Sequence, residues 1–74
     1  MDNEFRTTDI VLAAYLRLNN LAMARIEKAG TKGTFIFLDV PNEFVQDFDL
    51  GNAKVEPIAF NNMIKQLTTS VRRM

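Results

Sequence analysis

Arg25, Lys28, Lys32, Lys65, Arg72 and Arg73 are the side chains of this sequence whose type and grouping point to a chemical task. The first three fall in RIEKAGTK and the last three in KQLTTSVRR, so each group can present its charge from one local element. Ammonium and guanidinium groups gathered this way neutralise phosphates and release counterions, the sequence-independent part of nucleic-acid binding. An exposed strand aromatic such as Phe35 or Phe37 could add base stacking. Against this, Glu27 interrupts the first group, and the two phenylalanines are better explained as core residues than as a stacking platform. Solvated surface is the commoner fate of such cations.

Catalytic equipment is sparse. The chain has no histidine and no cysteine, so it has no imidazole base, no thiolate nucleophile, no Ser-His-Asp triad and none of the usual zinc ligands. The stretch AGTKGT resembles a phosphate-binding loop only in its glycines. That motif needs G-x-x-x-x-G-K-[ST] between a strand and a helix, whereas these glycines join two strand-like runs. Asp39, Glu43, Asp47 and Asp49 lack the spacing of an EF-hand. Glu43 and Asp47, one helical turn apart, read as the solvated face of a helix. The expectation is a protein that is not an enzyme, with no cofactor, no metal and no evident small-molecule substrate.

The chain has 74 residues, nine basic and nine acidic, with 47% hydrophobic residues. It reads as a single small globular domain over 1–74 with no strong charge bias towards a polyanion. A domain this small buries only about 60% of the surface its unfolded chain exposes. Disulfides and zinc are ruled out as supports, which leaves oligomerisation, and a homodimer is expected. The opening MDNEFRTTD does not read as a signal peptide, and no apolar run reaches the ~18–20 residues expected of a membrane span. A cytoplasmic protein is expected.

These residues need elements to hold them. Residues 1–6 read as a flexible arm pinned by Phe5. TTDIVLAAYLRLNN reads as a helix, with Thr7 or Thr8 as N-cap, Asp9 at the positive end of the dipole, and Asn19 and Asn20 suited to a left-handed end. Its apolar stripe of Ile10, Val11, Leu12, Tyr15, Leu16 and Leu18 is broad enough to need neighbours on more than one side. LAMARIEK and TFIFLD read as strands of a hairpin turning through Gly30 and Gly33. VPNEFVQDFDLG reads as a short helix begun at Pro41 and ended at Gly51, burying Phe44, Val45 and Phe48. A longer helix from Pro57 places Phe60, Ile64, Leu67 and Val71 on one stripe. The fold class is α+β: helix, two-stranded antiparallel hairpin, short helix, longer C-terminal helix.

Strand parity divides the hairpin residues. An even loop puts Ala22, Ala24 and Ile26 with Phe35 and Phe37 on the core face. Met23, Ile36 and Leu38 then remain as an apolar patch on the other face, beside Arg25 and Glu27. Either the helices straddle the hairpin and cover both faces, or Met23, Ile36 and Leu38 form an association surface. In the second case a free edge on TFIFLD would extend into a four-stranded sheet across the dimer.

Three stretches, TTDIVLAAYL, GTFIFLDV and VEPIAFNNMIKQL, together resemble a family of short domains of unknown function found in bacteriophages and bacteria. The matching features are Thr7 and Asp9 before the first helix, Phe35 to Asp39 in the second strand, and Val55-Glu56-Pro57 leading into the last helix. They are caps and core strands; none is catalytic. The resemblance implies no activity, cofactor or substrate, and points to an accessory protein that handles nucleic acid or binds other proteins. The two functional expectations are therefore a nucleic-acid binding module using the six cations, or a protein-interaction or structural homodimer module.

Overall fold

The computed structural model describes residues 3–74. Met1 and Asp2, part of the expected arm, lie outside the described residues. The elements run β1 (Glu4–Thr7), α1 (Ile10–Leu18), β2 (Met23–Ala29), β3 (Lys32–Leu38), α2 (Asn42–Asp49) and α3 (Pro57–Arg72). The α+β class and the order of helices and hairpin follow the sequence reading, with one addition. The sheet has three strands, ordered β1-β3-β2, and all neighbours are antiparallel.

That addition corrects the expected arm. Glu4-Phe5-Arg6-Thr7 alternates polar and core-facing residues, and its partners are Leu38, Phe37, Ile36 and Phe35. An isolated two-stranded hairpin is marginal in water, and β1 occupies the edge that β3 would otherwise leave open. Being central, β3 can be apolar on both faces. The same placement removes the free edge through which a twin could have paired along Phe35–Leu38.

The turn is the tight two-residue form. Ala29 pairs with Lys32 across Gly30-Thr31, and Gly30 takes φ +64° at the position a type II′ turn reserves for glycine. Ile26 faces Phe35 as the even loop requires. Beyond it the expected parity fails. Met23 pairs with Phe37 and Arg25 with Ile36, so Ala24 is the extra residue of a β-bulge. A bulge re-aims every side chain on its far side. Met23 therefore joins Ile26, Phe35 and Phe37 on the core face and packs against the core, while Ala24 is exposed.

All three helices lie on that face, and the protein is a slab of 35 × 32 × 18 Å. Helix α1 is the hub, touching α3, α2 and β1, with Leu12 to Leu16 all buried. Its N-cap is Asp9, not Thr7 or Thr8. The carboxylate accepts from the N–H groups of Val11 (2.9 Å) and Leu12 (3.3 Å), and Thr7 Oγ1 accepts from Asp9 N. Asn20, at φ 62°, closes the other end in a Schellman motif, with Leu21 N donating to Leu16 O and Asn20 N to Arg17 O. Gly51 does the same for α2 at φ 76°. Phe44 and Phe48 of α2 pack on Tyr15, with ring centroids 6.2 and 5.9 Å away. Helix α3 starts at Pro57 with Glu56 accepting from Ala59 N, and buries Leu67 in the shared core. Among the described residues no helix is long and apolar enough to cross a membrane.

Candidate nucleic-acid interface

The face of the sheet away from the helices carries no apolar layer, yet Ile36 is 0% accessible there. Its cross-strand partners are Arg6 on β1 and Arg25 on β2. Arg6 donates to Glu27 at 2.9 Å and to Glu4 at 3.3 Å. Arg25 donates to Glu27 and to Glu4, each at 3.0 Å. The four charges form a closed ring that bridges β1 to β2 over the central strand. The aliphatic stems of the two arginines flank Ile36, and their charged heads remain half in water. Hydrogen bonding to Arg25 holds the Glu4 carboxyl below its ordinary value, and Arg6 followed by Arg25 does the same to Glu27. The Glu4 and Glu27 bonds in turn push Arg25 up.

This ring decides the standing of several expected site residues. The guanidinium of Arg25 is bound to two carboxylates and faces away from the helices. Met23, Ile36 and Leu38 do not form one patch. Met23 is on the core face, Ile36 is sealed under the ring, and Leu38 is half-buried opposite Glu4.

Two of the other cations meet at the far end of the sheet, at its open edge. Strand β1 stops pairing at Phe35, so residues Lys32 to Thr34 of β3 have β2 as a neighbour on one side and no strand on the other. A cleft of about 420 Å³ opens in that gap. Its walls are Thr8 and Ile10 from the start of α1, Thr31 to Gly33 with Phe35 from the hairpin, and Thr68, Val71 and Arg72 from the end of α3. Gly33 makes the junction tight, since a Cβ there would stand 2.7 Å from Val71 Cγ2. Lys32 and Arg72, 40 positions apart in sequence, thus border one hollow. Across the hairpin from Gly33, Lys28 donates to the Met74 carbonyl at 3.1 Å, which ties the hairpin to the end of α3. Arg73 is the exposed C-cap of α3. Lys65 is exposed on the same helical stripe as Arg72, about 10 Å back along the axis.

The structure brings Lys32 and Arg72 to one cleft, with Arg73 at the same helix end; Lys28 lies outside the cleft lining and is bound to Met74, and Lys65 lies further back along α3. Phe35 and Phe37 are buried, which removes a stacking role. The sequence reading missed the hydroxyls of Thr8, Thr31 and Thr68 and the pairing of Arg25 with Glu4. Alternation in Glu4-Phe5-Arg6 was the one local signal for the second; no local signal marks the threonines, which converge from three elements. Among the described residues, no three acidic side chains converge as metal ligands. No family model, curated protein or solved structure matches the chain.

Proposed function

We propose that this protein is a small non-enzymatic binding module that contacts nucleic-acid phosphates through the hairpin tip and the C-terminal end of α3. The observation that carries this reading is the meeting of Lys32 and Arg72 at one cleft whose lining holds no carboxylate. Lys28, Arg73 and Lys65 extend the basic surface. Arg25 leaves the contact set because Glu4 and Glu27 already neutralise it. The ring on the far face takes up two acidic and two basic groups together, so the zero net charge is unchanged by it and the reading rests on where Lys32 and Arg72 lie. The resemblance to short phage and bacterial domains agrees with an accessory module of phage or bacterial origin, and a cytoplasmic setting belongs to the same reading.

The test is anisotropy of a labelled generic oligonucleotide across a salt series. A log–log slope of several units is expected, falling by about one for each of Lys32→Gln and Arg72→Gln. No binding by micromolar protein at ~50 mM salt would overturn the proposal. A second reading, a protein-interaction or homodimer module, draws on exposed Leu50 (73%) and Ile58 (70%). It expects a molar mass in sedimentation twice that of the 8.4 kDa chain and no oligonucleotide binding.

A further inference from the structure

The cleft is bordered by two cations that lack the carboxylate partners of the outer ring. Each arginine of the outer ring is matched by two glutamates, whereas Lys32 and Arg72 have no carboxylate partner among the described residues. The nearest acid in sequence is Asp9, between the lining residues Thr8 and Ile10, and its carboxylate is engaged in capping α1. Two exposed positive charges therefore border the hollow. Thr8, Thr31 and Thr68 add three hydroxyls able to donate, and Ile10, Phe35 and Val71 make an apolar floor. The volume, about 420 Å³, falls in the range of small-ligand pockets.

Charge selects among phosphates. A backbone phosphodiester carries one negative charge. A phosphomonoester carries about −1.5 to −2 near neutral pH and has three free oxygens. Two cations and several hydroxyl donors match the monoester, and an apolar floor suits the sugar or base edge attached to it. Resting on the nucleic-acid reading above, we infer that the cleft is a terminal-phosphate site: it takes the phosphomonoester at the end of a single strand, with Lys32 and Arg72 holding the dianion. A free mononucleotide offers the same chemistry.

The experiment compares one single-stranded oligonucleotide of about eight residues carrying a 5′-phosphate, a 3′-phosphate or hydroxyl ends. Parallel titrations use a nucleoside monophosphate and the matching nucleoside. One end-phosphorylated strand is expected to bind about tenfold tighter than the hydroxyl-ended strand. That preference is expected to disappear in Lys32→Gln, Arg72→Gln and Thr68→Val, and to persist in Lys54→Gln. All these side chains except the half-buried Thr68 are exposed, and melting curves check that each variant folds. Equal binding of all three strands overturns the terminal-phosphate site and leaves the nucleic-acid reading standing. Binding of the nucleoside monophosphate but of no strand overturns the nucleic-acid reading and leaves a mononucleotide site. Binding of neither removes both.

Discussion

At the residue scale the structure turns on side chains that are large where space must be filled and absent where two backbones must meet. Phe37 is fully buried between Phe5 of β1 and Met23 of β2. Phe37→Ala is expected to cost about 3–5 kcal/mol in urea unfolding, and a loss under about 1 kcal/mol would mean the site collapses around the gap. Gly33 is the opposite case. Its position beside Lys28 has no need of a positive φ; what it needs is room for Val71. Gly33→Ala is expected to destabilise by about 1–3 kcal/mol through overpacking. In a Val71→Ala background the same substitution should cost clearly less, and a double-mutant cycle with no coupling would refute the contact.

At the element scale, α1 is bounded by local signals at both ends, Asp9 at its start and Asn20 at its close. Asp9 satisfies two N–H groups of α1, so Asp9→Ala should lower stability by about 0.5–2 kcal/mol, read in the same unfolding assay. Thr8→Ala should have little effect on stability, because the cap is Asp9; equal losses from both would restore Thr8 as a cap. The strands show how edges are kept from pairing with other molecules. Strand β1 is four residues long, and β2 is bulged at Ala24 and carries Arg25, Glu27 and Lys28. Short length, bulges and charge are the usual protections of an exposed edge. The apolar strand β3 sits between them.

At the scale of the whole molecule, the slab has helices on one side of the sheet and a ring of charge on the other. This ring is a network across three strands, which distinguishes it from isolated surface pairs of little worth. Glu4 and Glu27 titrate lower in the folded chain than at their ordinary value of 4.5, which they regain on unfolding. Their contribution is whole above that value and is lost as pH falls through the lowered folded values. The melting temperature should therefore drop more steeply in acid for the native protein than for Glu4→Gln/Glu27→Gln. Parallel pH profiles for the two proteins would show that the ring contributes nothing. High salt should weaken the same contribution, since all four groups remain partly in solvent.

Local chemistry in the sequence determined the α+β class, the three helices, the helix ends at Asn20 and Gly51, the start of α3 at Pro57 and a hairpin turn beginning at Gly30. Each of these depends on residues within one or two turns of each other, so periodicity and backbone preference suffice. Only the tertiary structure decided that residues 4–7 are a strand, because four alternating residues gain order from an open edge of β3 and not from themselves. Only it decided the bulge at Ala24, a one-residue slip settled by packing Met23 against Phe37. It also decided that Ile36 is covered by charges from Glu4, Arg6, Arg25 and Glu27, and that Lys32 meets Arg72. Those juxtapositions join residues 21 to 40 positions apart, and no local pattern encodes a distance of that kind.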